Sequence, residues 1–210
     1  MKFEKTEVWG FEHAIRGMRN PLESWKKSDS FIKSPHNYYV IGSNDLELMQ
    51  KLIKAGSEHR KFLRQIFVAV DITAPLYWWK EFDTYKVGTV ANSTSTMHKL
   101  AGTPITIDCF EMDDFEDLRL FDISTVWEIL IFDLERLRKS YNETRDKRYW
   151  KELIRLLPES WLQKRTITMN YENILNMYRQ RKNHKLTEWS KSFCAWVKTL
   201  PYAEELICLE

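Results

Sequence analysis

The sequence predicts an α+β fold, in which a small sheet is packed with helices. Three observations lead to this prediction. β-Branched apolar segments occur in the first half, apolar residues recur at helical spacing in the second half, and no linker divides the chain. Because the chain has 210 residues, the length of one large domain, we expect residues 1–210 to share one core.

Charge balance and apolar run length exclude several classes of protein. The 32 Lys and Arg residues are interleaved with 30 Asp and Glu residues, so we expect no nucleic-acid partner. The apolar run at 126–132 is far shorter than a membrane span, and the N-terminus lacks a signal-peptide core. The three cysteines, Cys109, Cys194 and Cys208, form no CxxC pair, which is typical of a reducing compartment. We therefore expect a cytoplasmic protein without membrane association.

The first half contains one helix, one strand and a second helix in order. NDLELMQKLIKAG (44–56) has apolar residues at helical spacing, a capping start and a Gly stop, which predicts an amphipathic helix. FLRQIFVAVDI (62–72) is rich in β-branched residues and predicts a strand. Pro75 opens PLYWWKEFDTYK, a predicted buried helix in which we expect Trp78 and Trp79 to be packing residues.

The middle of the chain begins with EFDTYKVGTVANSTSTMHKL (81–100), which is rich in Thr, Ser, Gly and Asn. This stretch is either a plain connector or a substrate-binding loop. TPITIDCF (103–110) predicts a second strand, and the acidic EMDDFED (111–117) predicts a solvated loop rather than a metal site. From Ser124 onward the pattern predicts a layer of helices.

Polar residues near the C-terminal helices are the candidates for ligand binding. The sequence has no HExxH, GxSxG or GxxxxGK motif, so zinc-protease, common hydrolase and phosphate-loop chemistry are not indicated. Asn170 and Arg181 are eleven residues apart, close to three helical turns, and Arg155 precedes them. A guanidinium and an amide on one face suit a uracil-like ring or a phosphate. The same residues also suit an ordinary solvent-facing helix surface.

The order of these segments resembles that of the flavin-dependent thymidylate synthases, also called thymidylate synthase complementing proteins. LIKAGSEHRKFLRQIFVAVDITAPLYWWKEFDTYKVGTVANSTS is similar to their central segment, where helix, Gly, strand, Pro and helix precede the signature RHRxxSxNExSxRY. KELIRLLP and MNYENILNMYRQR resemble the family's Arg-Leu-Pro turn and its helix NxRxLxxFxxLR. The N-terminal AIRGMRNP corresponds to its first Arg-containing helix.

This resemblance implies an activity, cofactors and an assembly. Members of the family convert dUMP to dTMP with methylenetetrahydrofolate as carbon donor and NADPH-reduced FAD as hydride carrier. They are α+β homotetramers with a mainly antiparallel sheet and with active sites between subunits. The flavin performs the redox step, while arginines bind the nucleotide.

The C-terminal match assigns four residues by position. Arg155 and Arg181 fall on arginines that contact dUMP, so both are predicted to bind substrate. Arg181 is the predicted uracil contact and a predicted catalytic residue. Asn170 and Asn176 fall on positions that face the flavin and are predicted to bind the cofactor.

The signature itself is degenerate in this chain. Its RHR triplet falls on Thr84, Tyr85 and Lys86, and we expect Tyr85 and Lys86 to contact the cofactor. The preceding Gln is Glu81, a predicted substrate contact, and the Arg of NxR is Glu172.

The remainder of the signature has two alignments. With one inserted residue, Asn92 and Ser95 take the family's Asn and second Ser. Without it, Thr89 and Thr94 take the two Ser positions and Asn92 takes the Glu position. We expect Asn92, Thr94 and Ser95 to bind substrate, and Ser95 to be a catalytic residue.

Three functions follow as hypotheses. The first is a divergent family member that binds FAD and a pyrimidine nucleotide. The second is a catalytically inactive homologue that acts as a binding or assembly protein, which the replaced RHR triplet favours. The third is an enzyme for a different pyrimidine nucleotide, in which Tyr85 and Glu81 supply new contacts.

Overall fold

The computed structural model describes residues 1–33, 38–112 and 123–209 and has an α+β fold with a small antiparallel sheet, as the sequence predicts. The strands are β1 (Lys2–Trp9), β2 (Phe31–Lys33), β3 (Tyr38–Val40), β4 (Phe67–Pro75), β5 (Val90–Ser93) and β6 (Leu162–Asn170). The main sheet has the order β1-β4-β6-β5. Strands β2 and β3 form a separate antiparallel pair, in which Ile32 lies opposite Tyr39.

The helices account for most of the remaining described chain. They are α1 (Phe11–Arg19), α2 (Ser43–Lys54), α3 (Leu76–Phe82), α4 (Thr96–Lys99), α5 (Ile123–Thr144), α6 (Lys147–Leu156), α7 (Tyr171–Arg181), α8 (Cys194–Lys198) and α9 (Ala203–Leu206). A π-helical turn, Glu188–Phe193, leads into α8. In the described ranges, no helix combines the length and apolar character needed to cross a membrane.

The chain divides into two compact units. The first unit contains Met1–Lys2, Ile72–Thr84 and Asn92–Arg165. In it, α5 and α6 pack together around a core formed by Leu100, Ile105, Phe110, Leu134 and Leu153.

The second unit contains Phe3–Asp71, Tyr85–Ala91 and Thr166–Glu210. Its core takes residues from α1, α2, α7 and the π-helical turn, including the fully buried Ile15, Met49, Ile53, Tyr171, Ile174 and Trp189. The expectation of a single domain over 1–210 stays a prediction.

Strand β4 begins later than the sequence predicts. Its burial alternates, with Val68, Val70 and Ile72 almost inaccessible to solvent, as expected for a strand. The preceding Lys61–Gln65 forms a 3₁₀ helix, so the first part of the predicted 62–72 strand is wrong. The physical reason is that the consecutive residues 62 and 63 are both buried, which an alternating strand does not permit.

The helix that follows β4 confirms the predicted packing role of its two tryptophans. Trp78 and Trp79 have 0% and 1% exposure. The indole Nε1 of Trp79 donates to the Gln163 carbonyl oxygen at 2.9 Å, so the ring is fixed inside the first unit. These two rings are therefore core residues.

Two predictions for the later part of the chain are wrong. Residues 103–110 form no strand: a 3₁₀ turn lies at Ile107–Cys109, and the Ile105 N–H donates to Glu135 Oε2 at 2.9 Å instead of to a neighbouring strand. The segment after Ser124 is not a purely helical layer, because β6 lies within it. The β-branched run Thr166, Ile167 and Thr168 was the sequence signal for this strand.

Candidate functional site

The candidate site lies in the second unit, where β6 ends and α7 begins. Asn170 is the N-cap residue of α7, and its Oδ1 accepts from the Asn173 N–H at 3.0 Å. Asn173 Oδ1 accepts in return from the Asn170 N–H at 3.1 Å. This reciprocal capping box fixes both amide side chains at the helix N-terminus, where backbone N–H groups and the helix dipole favour negative charge.

The loop that replaces the family signature lies against this helix start. Asn173 Nδ2 donates to the Val87 carbonyl oxygen at 2.7 Å. Gly88 has φ of +79°, and a Cβ there would lie 3.0 Å from Asn170 Nδ2 and 3.1 Å from Asn173 Oδ1. Glycine therefore satisfies both the backbone conformation and the close approach.

A group of charged side chains forms the other side of the site. Arg60 donates through Nε to Glu172 Oε1 at 3.2 Å and through Nη2 to Asn176 Oδ1 at 3.1 Å. Arg64 Nε donates to Glu172 Oε2. Glu172 thus bridges the two guanidinium groups.

The electrostatics of this group favour an ionised carboxylate. Burial alone would raise the pKa of Glu172, but hydrogen bonds from Arg64 and Arg60 outweigh it and lower that pKa. Partial burial, together with the like charge of Arg60, lowers the pKa of nearby Arg179. Three arginines and one glutamate therefore leave an excess of positive charge, which suits an anionic ligand.

These residues enclose a cavity of about 470 Å³. We call it the α7 cavity; its lining residues are Ser57, Arg60, Arg64, Val87, Gly88, Asn170, Glu172, Asn173 and Asn176. Asn170 Nδ2 and Asn176 Nδ2 have no acceptor among the described residues, so each remains a donor for a ligand. The cavity combines amide donors with guanidinium groups, which suits a planar ring with carbonyl oxygens or a phosphate.

Arg181 and Tyr85 form a second cluster in the same unit. Arg181 Nε donates to Tyr85 Oη at 2.9 Å, and Tyr85 Oη donates to Gln180 Oε1 at 3.0 Å. The guanidinium carbon of Arg181 is 5.6 Å from the Tyr85 ring centroid and 5.0 Å from that of Trp189. Both rings position the cation, and Lys86 is exposed next to them along the chain.

Three predicted loop residues lie in the first unit. Asn92 is exposed on β5. The Thr94 N–H donates to the Lys164 carbonyl oxygen at 2.9 Å. Ser95 caps α4, where its Oγ accepts from the His98 N–H at 3.1 Å and lies 3.3 Å from His98 Nδ1.

The remaining predicted residues are also in the first unit. Arg155 is exposed and donates to Glu152 Oε2 at 3.1 Å. Glu81 is half-buried on α3. Their roles, and those of the other predicted site residues, stay predictions.

No metal site is built by the described residues, which contain no group of three or more His, Cys, Asp or Glu side chains able to hold an ion. Most of the acidic segment 111–117 lies outside the described residues. Within its described part, Glu111 accepts from the N-terminal amine at 2.7 Å.

Sequence reasoning did not find Arg60, Gly88 or Asn173 as site residues. The Asn170–Asn173 spacing at a helix start was a usable signal, since it matches that of a capping box. Arg60 gave no local signal, because its contacts to α7 span more than a hundred residues.

Comparison with models of protein families finds no match, and no curated protein sequence matches the chain. Two solved structures are similar. One is the flavin-dependent thymidylate synthase ThyX of Helicobacter pylori complexed with FAD and dUMP, with a TM-score of 0.71, 18% identity and full coverage of both chains. The other, thymidylate synthase X of Helicobacter pylori with FAD and dUMP, has the same TM-score and identity over 99% of this chain and 97% of that chain. The likeness over the whole chain shows that this protein has the fold of these flavin-dependent thymidylate synthases.

Proposed function

We propose that the chain is a divergent flavin-dependent thymidylate synthase-like protein that binds FAD and a pyrimidine nucleotide. The α7 cavity carries the proposal. In it, part of the loop in the place of the family signature meets Asn170 and Asn176, the two residues that the sequence resemblance assigns to the flavin.

The residues of this cavity fit a flavin. Asn170 Nδ2 and Asn176 Nδ2 are donors for ring carbonyl oxygens, and Arg60 and Arg64 are cations for an anionic group. Its volume of about 470 Å³ is in the range of small-molecule sites, roughly 300 to 1,000 Å³. When bound, FAD would supply the hydride carrier, while the chain binds and orients it.

The nucleotide role is assigned to Arg181, supported by the Tyr85 contact that holds its guanidinium group in place. Arg155, Glu81, Asn92, Thr94 and Ser95 are the further proposed substrate contacts, while Tyr85 and Lys86 are proposed cofactor contacts. The proposed full reaction is methylation of dUMP to dTMP with methylenetetrahydrofolate and NADPH, in a cytoplasmic homotetramer.

A second candidate is a non-catalytic binding or assembly protein. Glu172 favours it, because this carboxylate already pairs with both arginines of the cavity and opposes an anionic ligand. An enzyme for another pyrimidine nucleotide would use Tyr85 and Glu81 as altered contacts.

Flavin binding is tested by titrating the purified protein with FAD and following flavin fluorescence anisotropy. We expect saturable binding in the micromolar range, which Asn176→Ala weakens while the exposed Asn44→Ala leaves it unchanged. Absence of binding to the wild-type protein would overturn the flavin proposal.

Nucleotide binding has a separate test in thermal unfolding. A site ligand stabilises by mass action, so dUMP should raise the Tm of the wild-type protein and raise that of Arg181→Ala less. Equal protection of both proteins contradicts the assignment of Arg181. Growth of a thymidine auxotroph expressing this chain then separates an active synthase from a binding protein.

A further inference from the structure

A second cavity of the same unit has a different chemistry from the α7 cavity. It has a volume of about 530 Å³ and lies at the end of β1, the start of α1, the β2–β3 pair and the turn before α9. Four aromatic side chains and two polar ones give it its character: Trp9, Phe11, Tyr39, Tyr202, Glu12 and His13. We call it the aromatic cavity.

The aromatic rings are held in place by contacts outside the opening. Trp9 stacks on Phe67 with centroids 5.8 Å apart and still has 44% exposure. Phe11 and Tyr202 meet edge to face at 5.8 Å, and Tyr202 Oη accepts from the Ile41 N–H at 2.9 Å. These contacts reduce the freedom that a ligand would otherwise have to remove from the rings.

Two backbone positions at the cavity have uncommon conformations. Gly10 has φ of +102°, and a Cβ there would lie 2.2 Å from the Gln65 carbonyl oxygen. Tyr202, a residue with a large side chain, has φ of +55°. Such conformations cost free energy and occur often at ligand sites, so they agree with a site built for binding.

The charges near the opening favour a cation. Burial raises the pKa of the Tyr39 hydroxyl, and the nearby Asp45 and Glu12 raise it further. A hydrogen bond with Ser30 and the charge of Arg16 act in the opposite direction but do not reverse the rise. Glu12 is an exposed carboxylate on the cavity lining, so it is accessible to a positively charged ligand.

We propose that the aromatic cavity binds a small organic cation of the quaternary ammonium or methylated amine class. Electron-rich ring faces attract such cations, and Glu12 supplies the opposite charge. An anionic ligand would meet Glu12 unfavourably, and a neutral ligand of the same shape would gain only apolar burial.

Isothermal titration with choline and with its neutral isostere 3,3-dimethylbutan-1-ol tests the proposal on the wild-type protein. We expect choline to bind at least about fivefold more tightly, the difference that one cation–π contact of modest strength provides. Equal affinities, tighter binding of the isostere, or no heat of choline binding at millimolar concentrations would overturn the proposal.

Matched variants locate the site. Glu12→Gln should remove most of the preference for choline over the isostere, while Glu7→Gln, on exposed β1, removes the same charge elsewhere and should keep it. Trp9→Leu should weaken choline binding, whereas Trp25→Leu, with 49% exposure and outside this cavity, should not. If choline binds with the expected preference but Glu12→Gln and Trp9→Leu both retain it, the assignment to this cavity is wrong.

Discussion

Glu172 sets the amount of positive charge that the α7 cavity offers to a ligand. Its carboxylate accepts from Arg60 and Arg64, and its own side chain has 9% exposure. Where the family sequence has an arginine, this chain therefore has a built-in counter-ion. A ligand phosphate has to compete with Glu172 for the same guanidinium groups.

Replacement of Glu172 by Gln should lower the free energy of unfolding by about 1 to 3 kcal/mol at pH 7. The loss arises because Arg60, with 12% exposure, loses the carboxylate that compensates its charge. Arg64 is half-exposed, so water screens its share of the pair. Denaturant unfolding measures the difference, and the exposed Glu128→Gln on α5 is the control that should stay near wild type.

The same carboxylate predicts a dependence on pH. The pKa of Glu172 is lowered in the folded protein below its ordinary value of 4.5, so its stabilisation is fully present above that value. As pH falls from there through the lowered folded pKa, the contribution is lost. Unfolding measured between neutral and acidic pH should show a smaller decrease in Glu172→Gln than in wild type, and an equal decrease would contradict the ion-pair role.

Gly88 is the second residue on which the cavity depends. Gly88→Ala should cost roughly 1 to 3 kcal/mol of stability, because a side chain at positive φ is strained and its Cβ would crowd the two capping amides. Gly56 also has positive φ, +105°, but has open space around it, so Gly56→Ala isolates the backbone cost. Gly102, with open space and no positive φ, should tolerate Ala.

Denaturant unfolding of these three glycine variants checks this order. A Gly88→Ala protein no less stable than Gly56→Ala would show that close packing against Asn170 and Asn173 does not matter. FAD titration of the same proteins should find weakened binding in Gly88→Ala alone.

At the scale of elements, the start of α7 combines helix capping with the proposed ligand contacts. Asn170→Ala should cost about 1 kcal/mol through loss of the cap. Asn170→Ser should keep most of that stability, since Ser also caps helices, but it removes the Nδ2 donor. Weak FAD binding combined with near wild-type stability in Asn170→Ser would identify the amide as a ligand contact; unchanged binding would limit Asn170 to capping.

Elements with a regular local pattern could be predicted from the sequence. Helix α2 has its apolar residues at helical spacing, and β4 has alternating burial, so both were found close to their observed bounds. Strand β6 was missed because its burial pattern is interrupted by the polar residues 164–166, which resemble a loop. Residues 103–110 are β-branched but donate to a helix side chain, a tertiary contact that local propensity does not show.

The candidate site could be predicted only where a motif was kept. The resemblance located Asn170 and Asn176, since both lie on one helix with recognisable spacing. Arg60 reaches that helix across more than a hundred residues of sequence, so only the folded chain reveals its role. The loop contact of Val87 with Asn173 was hidden for the same reason.

At the scale of the whole molecule, the likeness to the two solved structures covers almost the entire chain, although only 18% of residues are identical. Conservation of a fold at this identity places few constraints on individual side chains. The chain could therefore keep the scaffold while replacing the charged groups of its sites. Assembly is the property that a conserved scaffold predicts most directly.

A homotetramer, as the family resemblance implies, requires a surface that a partner can cover. On α5, Val126, Ile129 and Phe132 have 62%, 58% and 68% exposure and follow one another at near-helical spacing. Exposed apolar stripes of this kind are typical of protein interfaces. We expect sedimentation velocity to show oligomers of the wild-type protein and Phe132→Ser to shift them toward monomers, since the substitution removes a large apolar contact. Glu128→Ser changes an exposed polar position of the same helix and should leave assembly intact. A wild-type protein that stays monomeric at high concentration would contradict the homotetramer, whereas oligomers unaffected by Phe132→Ser would place the interface on another surface.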